Sequence, residues 1–224
     1  MLSGPEYNPN PGKPIQKIVV FLHGYGASGD DLLSLGEAWE SSLPNTLFIA
    51  PNAPDRCDMN MDGYQWFGLQ DFSPFNVRSG LDRVRPTLVR YLKNLLTKHT
   101  LNTHDLALVG FSQGTILALE MLFALPGLGA VLGYSGAFYP PPVFEPPLHS
   151  ALGNTNVMLV HGTADMVVPY SALLQASAQL NLYGIQAQTH TCDGVGHTID
   201  FKGLELGGEF LGRNLMNCSR VVNL

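Results

Sequence analysis

No part of this chain constrains its fold more than the stretch from Leu106 to Leu122. Leu106-Ala107-Leu108-Val109 is a short apolar run of the kind that forms a buried strand. It enters Gly110-Phe111-Ser112-Gln113-Gly114, and Thr115-Ile116-Leu117-Ala118-Leu119-Glu120-Met121-Leu122 follows with helix-favouring, core-facing character. The segment reads as a strand, a one-residue corner and a helix, with a serine at the corner. Glycines are needed two residues to either side because a side chain there would collide across the turn, and the serine is forced into a strained backbone conformation. The strain lifts the hydroxyl clear of the sheet, and the helix N-terminus aims unpaired N–H groups at any negative charge forming beside it. The same letters also fit a Gly-rich turn in an ordinary α/β domain. For Ser112 to be a nucleophile, the rest of the chain must supply a base, an acid and a second oxyanion donor.

Taken in order, residues 1–15 form a Pro/Asn/Gly-rich lead-in with little core to offer, and residues 16–224 read as one α/β domain. Lys17 to Leu22 is a continuous apolar run suited to a strand buried on both faces. It ends in the loop His23-Gly24-Tyr25-Gly26-Ala27-Ser28-Gly29, and Asp30 or Asp31 can cap a helix through about Glu40. Thr46–Ala50 is a second strand. Pro51 to Val77 shows no sustained period, yet its aromatic residues argue against disorder, so it is expected to form a pocket wall or a packed connection. Leu81, Val84, Leu88, Leu92, Leu95 and Leu96 predict an amphipathic helix from about Ser79 to Lys98, with Pro86 as a kink or its first turn. Strands follow at 129–134, 156–160 and about 186–190, helices at about 170–183 and 204–216, and a Pro-rich excursion at Ser135–Asn154. Strands alternate with helices and no linker divides them.

Charged residues make up only 13% of the 224-residue chain, about half the usual share, and the net charge is −6 with no basic stripe. Nucleic acid is therefore not an expected partner. An exterior so poor in charge suits a greasy substrate or a subunit contact such as a homodimer. Cys57, Cys192 and Cys218 are odd in number and scattered, which fits reduced thiols in a cytoplasmic protein. The N-terminus lacks the order of a signal peptide, and prolines and glycines cut the uncharged run Met121–Phe144 too often for a transmembrane helix.

In an open parallel sheet, sites form beyond the carboxyl ends of the strands. The candidate loops are His23–Gly29 and those carrying Ser112, Asp165 and His197. Of the seven histidines, His197 follows the last strand in a Gly-x-Gly-His loop that can bring its ring to the serine. Asp165 follows the preceding parallel strand. The order Ser, Asp, His is the one found in α/β-hydrolases. Alternatives stay open: Asp165 can merely cap a helix, Asp193 or Asp200 can orient His197, and His161 can be the base. No cluster has zinc-like spacing, so no metal is expected. Gly24-x-Gly26-x-x-Gly29 has the letters of a dinucleotide fingerprint, but no acidic residue ends the second strand.

Phe21-Leu22-His23-Gly24-Tyr25-Gly26, Gly110-Phe111-Ser112-Gln113-Gly114, His161-Gly162-Thr163-Ala164-Asp165-x-x-Val168-Pro169 and Gly196-His197 together resemble the phospholipase/carboxylesterase family of α/β-hydrolases. That family includes acyl-protein thioesterases, lysophospholipases and bacterial carboxylesterases. Pro51-Asn52-Ala53-Pro54 and Tyr64-Gln65-Trp66-Phe67 are similar to its prokaryotic branch, and the likeness runs from about Lys17 to Phe210. It implies a mostly parallel central sheet with helices on both faces and no separate cap domain. Carried over by position, it implies Ser112 as nucleophile, Asp165 and His197 as its partners, and the backbone N–H groups of Tyr25 and Gln113 as the oxyanion hole. Thr115 stands where the family usually has another glycine, and Tyr25 where eukaryotic members often have leucine.

The expected activity is hydrolysis of a small-molecule or lipid-like acyl ester or thioester, without a cofactor. Trp66, Phe67, Leu69, Met166, Val167 and Val168 are the expected lining of an apolar acyl groove. Two other readings remain: a hydrolase-fold binding protein without the chemistry, and an esterase whose main role is surface association.

Overall fold

The structure, a computed structural model, describes residues 2–141 and 155–216. Its organisation follows from alternation within strands that carry apolar residues on both faces. In β2 (Lys17–Leu22), Ile18, Val20 and Leu22 belong to one core cluster, and Val19 and Phe21 to the other. The same two-sided pattern runs through β6 (Leu106–Phe111), β7 (Ala130–Tyr134) and β8 (Asn156–Gly162). Such strands need cover on both faces.

Helices supply that cover. α2 (Pro74–His99), α3 (Gln113–Ala124) and α4 (Ser171–Leu182) pack on one face, and α1 (Asp30–Trp39) and α5 (Phe201–Met216) on the other. With β1 (Glu6–Tyr7), β3 (Thr46–Ile49) and β9 (Gln188–Cys192), the seven-stranded sheet has the order β1-β3-β2-β6-β7-β8-β9. All neighbours in it are parallel except β1 and β3.

This order fixes where a site can form. From β2 the chain passes through α1 on one face to β3, whereas from β6 it passes through α3 on the opposite face to β7. The loops after β2 and β6 therefore diverge, opening a crevice at the carboxyl ends of two adjacent strands. The His23–Gly29 loop and Ser112 border that crevice.

Three segments differ from the sequence expectation. The lead-in does contribute to the core: Leu2 is buried, and β1 pairs with β3, Glu6 opposite Ile49. Two backbone bonds, Ala50 N–H to Pro5 O and Asn52 N–H to Ser3 O, extend this edge. The 51–77 segment contains a two-stranded hairpin of β4 (Asp55–Arg56) and β5 (Tyr64–Gln65), too short for any period to show. α2 begins at Pro74, earlier than its apolar stripe suggests, because Ser73 caps it by accepting from the Asn76 N–H. Pro86 accordingly lies inside α2, well past its first turn. The excursion expected at Ser135–Asn154 lies outside the described residues from 142 onward, as does Cys218. Among the described residues no helix is long and apolar enough to cross a membrane.

Candidate active site

Ser112 occupies the corner between β6 and α3 with φ 54° and ψ −115°, a conformation that L-residues rarely adopt. Its neighbours hold it there. The Ser112 N–H donates to Tyr134 O at 2.9 Å, and the Thr115 hydroxyl donates to the same carbonyl at 2.8 Å. Gly114 lets α3 press onto the end of β2, since a Cβ on it would lie 1.8 Å from Leu22 O. Ser112 itself remains half-exposed. The elbow therefore presents a hydroxyl at the crevice on a backbone that packing prevents from relaxing.

Asp165 and His197 are 32 residues apart and meet because their loops are bonded to each other. Thr163 N–H donates to Cys192 O, Ala164 N–H donates to Val195 O at 2.9 Å, and Gly194 N–H donates to the Thr163 hydroxyl at 2.8 Å. Gly162 permits this approach, because a Cβ there would sit 2.1 Å from Val195 O. The result is a 2.8 Å hydrogen bond between His197 Nδ1 and Asp165 Oδ2. With Nδ1 donating to the carboxylate, Nε2 is the ring's proton-accepting nitrogen. The His197 ring packs 4.9 Å from that of Phe111, the residue before the serine.

The Asp165 carboxylate is fully buried. Burial alone would raise its pKa. The bond from His197 and the backbone N–H groups of Val168 and Val167, both at 2.9 Å to Oδ1, outweigh it and hold the group below the ordinary aspartate value. Asp165 thus closes a local turn as well as orienting His197, and one role does not exclude the other. Asp200 is otherwise engaged, accepting from Gly203 N–H at the start of α5 and from the Cys192 thiol. His161 is a buried structural imidazole: its Nε2 bonds Val168 O at 2.8 Å and lies 3.4 Å from Asp165 Oδ2. His99 and His104 lie near the amino end of β6, opposite the serine.

The β2 loop reaches the elbow directly. A Cβ on Gly24 would meet Ser112 Cβ at 3.4 Å. Gln113 is the first residue of α3, so its N–H has no partner within the helix, and Tyr25 follows Gly24 on the other wall. Burial, reinforced by the Cys57 thiol, pushes the Tyr25 phenol up to about 12, so that side chain stays protonated.

Two supporting side chains, those of His23 and Gln113, escaped the sequence reading, which gave Gln113 only a backbone role. The fully buried His23 accepts the Ala53 N–H on Nε2 and donates from Nδ1 to Gly24 O at 2.7 Å, which ties the β2 loop to the chain after β3. Burial lowers its pKa and keeps it neutral. The buried Gln113 side chain accepts from Trp66 N–H at 3.0 Å and donates to Phe67 O at 2.7 Å. Its placement beside the serine was the only available signal, because both partners are 46 or more residues away.

Those bonds correct the expected groove. Trp66 and Phe67 are fully buried: the Trp66 indole donates to His23 O at 3.0 Å, and its ring packs 5.3 Å from the imidazole. Trp66 thus supports the β2 loop, and Phe67 holds the Gln113 side chain through its carbonyl. Leu69 packs half-buried against the same core. Val167 and Val168 do line a cavity of about 740 Å³, together with Phe72, Ile116 and Phe138. Met166 stands almost wholly in solvent.

A sequence model of the Phospholipase/Carboxylesterase family matches residues 9–215. The crystal structure of esterase PE8 superposes with a TM-score of 0.85 at 37% identity, covering 96% of this chain and 99% of that one. Esterase YpfH of Escherichia coli is 26% identical over 203 residues, 90% of this chain and 84% of the relative. Acyl-protein thioesterase 1 of Debaryomyces hansenii is 27% identical over 205 residues, 83% and 86% respectively. With an α/β-hydrolase fold and a match over nearly its whole described length, this chain belongs to the phospholipase/carboxylesterase family.

Proposed function

We propose that the protein hydrolyses carboxylic esters or thioesters through an acyl-enzyme formed on Ser112. The observation that carries this reading is the hydrogen bond from part-exposed His197 to buried Asp165, with the His197 ring packed on the residue preceding a strained serine. His197 Nε2 takes the Ser112 proton as Oγ attacks the acyl carbon, then returns it to the leaving group. Asp165 holds the tautomer and stabilises the imidazolium. The N–H groups of Tyr25 and Gln113 receive the oxyanion, each contributing about 3 kcal/mol to transition-state stabilisation. Water then enters, loses a proton to His197 and releases the acid. No step draws on a cofactor.

The 740 Å³ cavity begins at Ile116, one helical turn beyond the serine, and at Val167–Val168, just past Asp165, which supports its use as the acyl groove. Phe72 and Val167 at its edge are exposed, as are their chain neighbours Phe75 and Met166. An apolar mouth suits a lipid-like acyl chain. The free, buried thiols of Cys57 and Cys192 support a reducing, cytoplasmic setting.

The test is turnover of p-nitrophenyl esters by wild type and Ser112→Ala, with thermal unfolding as the control for folding. The variant is expected to lose activity by at least about 10³-fold at an unchanged midpoint. Near wild-type turnover by a folded Ser112→Ala would end this reading.

A further inference from the structure

A second cavity, of about 320 Å³, opens where the β2 loop, α1 and the His197 loop meet. Its walls include Leu32, Leu35, Phe111, Thr198 and Ile199, together with the buried His23, which burial keeps neutral. Among the described residues Asp31, itself exposed, is the one charged side chain that lines it. No described lysine or arginine lines it, and Lys202 is paired with Glu205. Ser28 donates to Asp31 from its N–H and hydroxyl, and both bonds fall on Oδ2.

Position tells which half of a substrate belongs here. The leaving oxygen must collect its proton from His197, so the departing group lies on the side of that ring. Phe111 packs against the His197 ring, and Thr198 is the next residue in the chain. Apolar walls, the Phe111 ring and one carboxylate, with no lysine or arginine among the described lining residues, form the chemistry that recognises an alkylated ammonium. The wall carbons take the alkyl groups, and the ring face and carboxylate take the charge.

We propose that this cavity is the leaving-group site and selects alcohols bearing a quaternary or tertiary ammonium, with Asp31 and Phe111 as the recognising groups. The inference rests on the hydrolase reading above. In the step concerned, the bond between acyl carbon and alcohol oxygen breaks and the Ser112 Oγ–acyl bond forms. The amino alcohol departs with the proton His197 took from Ser112.

The experiment compares butyrylcholine with its neutral carbon isostere, 3,3-dimethylbutyl butyrate, using p-nitrophenyl butyrate as reference, for wild type and Asp31→Asn. Asparagine keeps an oxygen for the Ser28 bonds, and a ratio of two substrates on one enzyme is insensitive to partial loss of folded protein. Wild type should favour the cationic ester in kcat/KM by about three- to tenfold. The Asp31→Asn ratio should fall toward one, and 0.5 M NaCl should compress the wild-type ratio in the same direction. A wild-type ratio of one or below, or a ratio unchanged in Asp31→Asn, overturns the proposal. Cleavage of p-nitrophenyl butyrate with neither choline ester nor isostere accepted overturns it too, while leaving the hydrolase intact. Failure on all three substrates removes both.

Discussion

In the proposed mechanism much of the chemistry rests on single side chains, Asp165 among them. Replacing it with asparagine removes the charge that stabilises the imidazolium and disturbs the His197 tautomer, so kcat should fall by about 10³- to 10⁴-fold with little change in KM. Steady-state kinetics on a p-nitrophenyl ester checks this. The same carboxylate links stability to pH. Its folded pKa lies below the ordinary aspartate value of 3.8, so its contribution to stability is complete above that value and is lost as pH falls through the lower folded one. The difference in unfolding free energy between wild type and Asp165→Asn should therefore be constant near neutrality and shrink below about pH 4. Urea titrations at several pH values measure it. The strand-end positions of Asp165, Ser112 and His197 were legible in the sequence because each stands among residues with turn chemistry. His23 was not, since its role depends on an Ala53 N–H thirty residues away.

Elements carry the next layer. The elbow is clamped from two sides, by Gly114 against Leu22 and by the Gln113 side chain against Trp66 and Phe67. Gln113→Leu leaves a buried N–H and a buried C=O without partners, a loss of about 2–4 kcal/mol. For a chain of this size that lowers the thermal midpoint by roughly 4–16 °C, readable by circular dichroism. α2 and α3 are joined by an ionic cluster: the buried Glu120 carboxylate receives Arg78 at 2.6 and 2.8 Å and Arg85 at 2.7 Å. Glu120→Ala leaves the part-buried Arg78 with only Asp82 and the Tyr139 carbonyl and should destabilise by about 2–3 kcal/mol in the same assay. The strands of four residues or more were readable to within about two residues because apolar runs mark most of them, whereas the two-residue β1, β4 and β5 were not. The start of α2 was not, because Ser73 and Pro74 signal it before the stripe begins. Nor was the fate of Trp66 and Phe67, since a loop's aromatic content does not tell a wall from a foundation.

At the scale of the whole molecule, the reversal of strand order between β2 and β6 does the organising. It brings the His23–Gly29 loop and Ser112 together at two adjacent strand ends, and the bonds between the 162–165 and 194–197 loops bring Asp165 and His197 together, the four parts of the proposed mechanism. Two cavities flank the result, about 740 and 320 Å³. The larger leads to an expectation for substrate length: kcat/KM should rise from acetate to medium-chain p-nitrophenyl esters, and Val168→Trp should shift the optimum to shorter chains. The most direct measurement is of the serine itself. Wild type and His197→Ala would be treated with a fluorophosphonate and digested, and the modified peptide identified by mass spectrometry. The expected result is a single adduct on Ser112 that forms rapidly in wild type and at least about 10²-fold more slowly without His197. An adduct on another residue, or equal rates in the two proteins, would contradict a Ser112 nucleophile activated by the Asp165–His197 pair.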